Sequence, residues 1–441
     1  MLFTPMIIIY TNSITQRLSY TLDLIFNRLL GSRFCITTDR NEFINSRLPG
    51  LNYSDQPFGN KPFIRARDLL FENHITKQNI TLTEHEGTKA LFPVNPPSSL
   101  TFDPLAASFY MVSRYEEYLP FKKDRHLRFE ASESLAFKEG FLHIPVVNHW
   151  ALTLGNMLKK HYPELDFPGT GSEYIPTIDV DNAWAYIHKG AWRQTGAFMK
   201  SLITVNFRDI TDRLQVLLQR KKDPYDSWEF QRKFHDEAGI NPVYFILCGR
   251  HGRFDKNISP GNKAFRQLIA GIAQDNEIGI HPSYVSGTIP GLLEKELCKL
   301  EDITGRKITK SRQHFLKLTI PGTYRALTRA GITEDYSMGF ATSYGFRAGI
   351  CTPFPFFDLE ADAPSGLTVF PIAVMDSAMK YHLGMTPGEA LEKIREIAAN
   401  VLKVNGSFVS LWHNDSLGDS GQWKGWRDVY MEMVRIMQES M

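Results

Sequence analysis

Reactive side chains in this sequence recur at the ends of apolar runs. In TIDVD, Thr177, Asp179 and Asp181 alternate with Ile178 and Val180. On a β-strand this alternation puts both carboxylates on one face, ~7 Å apart, at the C-terminal end. Two buried acids that close repel unless a cation lies between them or one keeps its proton. EIGIHPSY delivers His281 on the face of Gly279, opposite Ile278 and Ile280, and Pro282 closes the run. ITKSRQHFL carries Arg312 and His314 at period two, and SFVSLWHND brings His413 after Val409 and Leu411. A single histidine is ordinarily a hydrogen-bonded structural residue; four strand ends presenting Asp, His, Arg with His, and His form a set. One carboxylate and two neutral imidazoles suit a borderline divalent cation and leave positions open for water and a substrate oxygen.

These strand ends need a scaffold that brings them together. From residue 173 onward, strand-like runs (YIPTIDVD, PVYFILC, EIGIH, ITKSRQHFL, SFVSLWH) alternate with helical ones such as KAFRQLIAGIAQD, PGLLEKELCKLE and a helix near Thr323 to Ala330. Such alternation over ~270 residues predicts a parallel sheet closed, or nearly closed, into an α/β barrel, which places its chemistry at the C-terminal strand ends. The last helix is marked by Thr386 as N-cap, Pro387 at its first position, Glu389 completing a capping box and Gly406 past its end. Residues 1–165 read as a small α/β unit. It has a strand at Met6 to Tyr10, then an amphipathic stretch from about Ser13 through Leu18, Leu22, Ile25 and Leu29 to Gly31. A strand at Phe34 to Thr37 and helices at Pro104 to Leu119 and Trp150 to Leu158 follow. The Pro- and Gly-rich segment HYPELDFPGTGS marks the boundary. No set of reactive groups assembles in this first half.

Composition narrows the functional classes. Fifty Lys and Arg against 48 Asp and Glu leave a net charge of +2, which excludes a protein built mainly to neutralise nucleic acid. No stretch approaches the ~20 apolar residues of a membrane span. Cys35, Cys248, Cys298 and Cys351 are scattered with no CxxC pair, which fits a reducing compartment. The N-terminal run MLFTPMIIIYTNS lacks a basic flank and a small-residue cleavage site, so the expected location is cytoplasmic. Between His188 and Lys222, eight Lys or Arg face two Asp, a local charge of +6. The plain reading is a solvated helix pair added to the barrel; contact with an anionic glycan or lipid headgroup is the alternative.

TIDVD, IGIHPSY, SRQHF and SLWH, in this order, resemble the successive motifs of the polysaccharide deacetylases (the NodB-homology, carbohydrate esterase family 4 domain). The resemblance covers residues 173–441, and the whole chain is similar to a two-domain variant in which an uncharacterised α/β domain comes first. It implies a distorted (β/α) barrel of deacetylase type, preceded by the small α/β domain. It also implies a divalent metal, zinc by default with Co, Ni or Mn as alternatives, and hydrolysis of N-acetyl or related N-acyl groups on a sugar or glycan by metal-bound water. An acetylated sugar or glycan, lipid-linked ones included, would be the substrate.

By position, the resemblance makes Asp179 the general base, Asp181 and His281 metal ligands, Arg312 the residue that orients the base, and His413 the acid that protonates the leaving amine. The family's second motif offers another histidine four residues after the first, where this chain has Val285. Strand-face geometry offers His314 as the replacement ligand. The stretch DYSMGFATSYGFRAGICTPFPFFDLE supplies Tyr336, Tyr344, Phe346 and Arg347, which together with Trp412 are the expected substrate-binding residues of a glycan enzyme; plain aromatic packing is the competing reading. Two other functions compete: a catalytically weak or inactive metal- or carbohydrate-binding protein, and a small-molecule amidohydrolase on the same barrel.

Overall fold

The structure, a computed structural model, describes residues 6–169, 171–204 and 207–440. The first five residues of the N-terminal run, Thr170 in the boundary segment and residues 205 and 206 of the basic stretch lie outside the described residues.

The first half contains a four-stranded parallel sheet of β1 (Met6–Tyr10), β2 (Arg33–Thr37), β3 (Gly50–Ser54) and β4 (Phe63–Arg65), in the order β2-β1-β3-β4. β5 (Leu82–His85) and β6 (Thr88–Leu91) form an antiparallel hairpin. Thr15 caps the first helix, Gln16–Leu22, which runs on through a π-helical turn to Leu29, so the amphipathic stretch folds as expected. The expected helix from Pro104 is shorter: it is capped by Asp103 and stops at Val112, because Arg114 adopts a left-handed conformation (φ 53°).

The second half is a barrel. β7 (Glu173–Val180), β8 (Val243–Ile246), β9 (Ile278–Ile280), β10 (Lys310–Ser311), β11 (Glu334–Met338), β13 (Ala363–Met375) and β14 (Ser407–His413) pair in parallel around a closed ring. β11 pairs with β13, and β14 returns to β7. β12 (Phe354–Asp358) lies antiparallel on the outer edge of β13. The alternating α/β pattern therefore closes into a seven-stranded (β/α) barrel preceded by a small α/β unit. β11 and β13 carry no clean apolar run: EDYSM is polar, and APSGLTVFPIAVM contains Gly and two Pro. Most of the stretch read as an aromatic rim is thus barrel wall and the segment that braces it. The capping box of Pro387–Leu402 is present, and a further helix, Trp426–Ser440, follows it.

One continuous hydrophobic cluster runs from Ile7 and Leu51 through Phe109 and Trp150 to Phe357 and Val369, so the two halves share a core. Polar contacts brace the same seam. Arg347 lies on the barrel side with its guanidinium bidentate on Glu117, at 2.6 and 2.8 Å, and Glu117 also accepts from Arg114 at 2.8 Å. All three are buried. Burial opposes ionisation of Glu117, but Arg347 and Arg114 outweigh it and hold its carboxyl below the usual range. Its stabilising share is therefore present above the ordinary glutamate pKa and is lost as pH falls through the lowered value. Removing the carboxylate strands the buried Arg347 guanidinium and leaves Arg114 paired with Glu116. Glu117→Ala should cost about 3–5 kcal/mol in denaturant unfolding; a loss under about 1 kcal/mol would mean the bridge is solvated.

Candidate metal centre and active site

The register of neighbouring strands assembles the site. His413 lies directly beside Asp179 on the β14–β7 ladder, Val180 pairs with Ile246, and Ser311 pairs with Ile280. Residues just past each strand end therefore converge at one mouth of the barrel. β10 is only two residues long, so Arg312 and His314 extend from it rather than lie within it. The period-two spacing still holds: Arg312 reaches Asp179 and His314 reaches Asp181. Phe315 and Leu316 follow in left-handed backbone (φ 62° and 48°), a turn held by packing of Phe315 against His126, Phe254 and Tyr284. Gly279 points into the barrel, where a Cβ would overlap the Phe245 ring. That ring lies 4.5 Å beneath the Arg312 guanidinium.

Arg312 is fully buried and donates to Asp179 Oδ1 (2.9 Å), Thr177 Oγ1 (2.7 Å) and the Tyr336 carbonyl (2.9 Å). It therefore fixes one oxygen of Asp179 and leaves Oδ2 toward the mouth, 3.7 Å from His281 Nε2. On the other side, His413 Nδ1 lies 2.7 Å from Asp376 Oδ1, and its backbone N–H donates to Oδ2 of the same buried acid. Burial works against charging His413, but Asp376 and the nearby Asp181 and Asp179 raise its pKa well above the ordinary value.

Between these two pairs lie Asp181, His281 and His314, whose ligand atoms all fall within 4.8 Å of one another. His281 Nδ1 is 2.6 Å from the Arg312 carbonyl, an acceptor only, so Nδ1 carries the proton and Nε2 presents a lone pair. That lone pair lies 3.1 Å from Asp181 Oδ1, which is buried without a hydrogen-bond partner. His314 is oriented in the same way: Nδ1 is held by Asp255 at 2.8 Å and Nε2 lies 3.5 Å from Asp181 Oδ2. Burial disfavours the charged form of His314, but Asp181 and Asp255 push it up to about 9. The carboxylates that favour a proton there favour any cation. An imidazole–imidazole–carboxylate set with acceptors behind both imidazoles has the chemistry of a divalent metal site, and these residues fit one.

The site opens into a cavity of about 300 Å³. Asp179, Asp181, His281, His314 and His413 line it, and Arg312 acts from beneath through Asp179. The five expected substrate-binding residues do not line it. Arg347 is committed to Glu117. Tyr336 is buried in the barrel, stacked on Phe370. Tyr344 stacks on His143 of the first half. Phe346 is core, and Trp412 packs outside the barrel on Trp426 and Tyr430. The aromatics that line the cavity are instead Tyr225, Phe315, Tyr381 and Trp423. Sequence reasoning also missed Asp255, Asp376 and Asp415. Asp376 closes VMD at the end of β13, the same strand-end signal as Asp179; Asp255 sits in a loop and carries no local signal. Asp415 lines the cavity and is raised to about 6, by burial first, with His413 opposing and Asp376 adding. Arg125, His126 and Arg128 of the first half form one wall. Arg128 donates to the Phe315 carbonyl, so the first half touches the loop that aims His314.

Comparisons with known proteins add the following. A family described as "Family of unknown function (DUF7033)" matches residues 7–163. No curated protein matches. Among solved structures, a candidate polysaccharide deacetylase from Mycobacterium smegmatis is similar at 16% identity and a TM-score of 0.39, over 61% of this chain and 86% of its own. The polysaccharide deacetylase Bc1974 from Bacillus cereus follows at 11% and 0.27, over 60% and 87%. A mutant of a CE4 family pseudoenzyme with restored enzymatic activity is similar at 11% and 0.28, over 61% and 64%. At these TM-scores the reading of the site rests on its own geometry.

That geometry makes its own prediction. Elemental analysis should find about one divalent ion per chain in the wild type and none in His314→Ala, while Asp255→Asn should bind about 10–100-fold more weakly. Equal content in all three would remove His314 and Asp255 from the site.

Proposed function

We propose that this protein is a metal-dependent hydrolase that removes N-acetyl or related N-acyl groups from a sugar or glycan, in keeping with its resemblance to the polysaccharide deacetylases. The observation that carries the reading is the placement of the Asp181–His281–His314 set between a guanidinium-anchored carboxylate and a carboxylate-anchored imidazole in one cavity. Zinc is the default for such a donor set, with Co, Ni and Mn also compatible. A divalent cation held there would polarise the acyl carbonyl and acidify bound water.

The chain's own residues divide the proton work. Arg312 pins Oδ1 of Asp179, which leaves Oδ2 to take the proton from the attacking water as general base. Thr177 and the Tyr336 carbonyl keep Arg312 from following substrate into the cavity. Asp376 fixes the His413 ring and favours its protonated form, so Nε2 can deliver a proton to the departing nitrogen. An unprotonated amine leaves poorly, which makes this donation as necessary as the attack. The cavity volume suits one sugar ring with its acyl group better than a long polymer segment. It also favours the second reading, a small-molecule amide as substrate on the same barrel.

Asp179→Asn should abolish turnover of acetylated sugars while leaving the metal content at the wild-type level. Asp376→Asn should lower kcat by about 10²–10⁴ with little change in KM. Retained turnover in Asp179→Asn would overturn the assignment of the base, and an unchanged kcat in Asp376→Asn would overturn that of the acid.

A further inference from the structure

The stretch between His188 and Lys222 folds into two helices, Ala191–Ile203 and Phe207–Leu217, inserted between β7 and β8 at the mouth of the barrel. Contacts of Gln194 with Arg213 and of Ser201 with Asp209 make them antiparallel. The hairpin is built inside out. Its seam is polar: Arg213 is buried, bonded to Gln194 and Asp209, and set 4.7 Å over the Tyr186 ring. Its outer face is apolar. Trp192, Met199 and Ile203 fall at i, i+7 and i+11 of the first helix, and Phe207, Leu214 and Leu218 repeat that spacing along the second and its last turn. At ~100° per residue each triplet forms one stripe, half a turn from the seam residues Gln194 and Ser201 or Asp209 and Val216. Trp192 is 92% exposed, Ile203 77%, Phe207 65% and Leu218 61%. Of the 17 exposed large hydrophobics among the described residues, eight lie between Trp192 and Leu218. Single exposed apolar residues are ordinary on protein surfaces, but two aligned stripes are not.

Charge accompanies the stripes. At the base of the hairpin, Lys189, Arg193, Arg250, Arg266 and Lys299 line a cleft of about 720 Å³, and no acidic side chain among the described residues lines it. Arg266 pairs with Asp302 outside the cleft, and Arg193 donates to the Lys256 and Asn257 carbonyls. Burial, with Arg193 adding to it, lowers Lys189 to about 8.

We infer that this hairpin is an interfacial membrane-binding element, with its Trp, Met, Phe and aliphatic stripes entering an anionic bilayer and the basic cleft receiving lipid phosphates. An apolar stripe bordered by Lys and Arg is the composition of a helix lying in a bilayer interface, and a local charge of +6 on a chain whose remainder is −4 gives the complementary attraction. The segment leaves the cavity rim at Asn182 and returns to it at Tyr225, so docking would hold the cavity mouth near the lipid surface. A lipid-linked acylated sugar then becomes the fitting substrate. That last step rests on the hydrolase reading; membrane binding does not.

The test is cosedimentation of the full chain with vesicles of phosphatidylcholine alone or with phosphatidylglycerol added, read without turnover. Binding to the phosphatidylglycerol vesicles should exceed that to neutral ones by about tenfold and weaken with salt. The triple variant W192S/I203S/F207S should lose that binding at unchanged Tm and metal content, and K189E/R250E should lose the preference for anionic lipid. A wild type that stays in the supernatant with both vesicles overturns the inference, as does a triple variant that binds like wild type. So does sedimentation velocity showing a dimer that the triple variant dissolves, since a second copy would then cover the face. Because binding is read without turnover, its failure leaves the deacylase assignment intact, and a failed substrate screen leaves the binding result intact.

Discussion

A carboxylate and two imidazole lone pairs aimed at one point repel unless a positive charge stands between them, and the barrel mouth is arranged around that constraint. Backbone and side-chain acceptors behind His281 and His314 place the proton of each neutral ring on its far nitrogen, so Asp181 is satisfied only when a second proton on His314 or a cation lies between them. The outer pairs follow the same rule. Asp179 is neutralised by Arg312 from below, and His413 is made basic by Asp376 from the side. Each buried charge has one opposite partner and one direction left open, and the open directions meet in the cavity.

Fixing these directions takes more than the barrel. Loop residues His126 and Arg128 of the first half pack on Phe315 and bond its carbonyl, so the turn that presents His314 is held from across the seam. Arg347 and Glu117 join the halves through a buried, bidentate pair inside a shared hydrophobic cluster. The first half contributes Arg125, His126 and Arg128 to the cavity wall. The aromatic stretch around Arg347 packs at that joint and does not line the cavity.

Among the described residues, exposed large apolar side chains gather most densely in the hairpin after β7. Polar groups take the seam because Arg213, Asp209 and Tyr186 satisfy one another there, and the apolar side chains are left outside. A surface of that kind is stable when something outside the protein covers it. Its position at the mouth ties whatever it touches to the chemistry below.

The sequence by itself determined the barrel class and six of the residues that meet at its mouth. The alternation of apolar strands and helices, and the period of two that places Asp179 with Asp181 and Arg312 with His314, are local properties of the chain. The capping box at Thr386 and the strand-end positions of His281 and His413 were legible for the same reason. Asp376 carried the same strand-end signal and went unread, whereas Asp255 sits in the loop after β8 and becomes a partner of His314, past β10, only when the barrel closes. β11 and β13 were obscured by Pro, Gly and polar residues; Pro364 and Pro371 are accommodated beside register shifts in the β12–β13 and β11–β13 pairings, where the regular ladder is interrupted. Whether an arginine among aromatics faces a substrate or a buried glutamate 230 residues away, and whether a basic helix pair hides its apolar face or shows it, depends on which surfaces meet when the chain closes. Only the tertiary structure decided that, because such contacts join segments whose spacing in sequence encodes no distance in space.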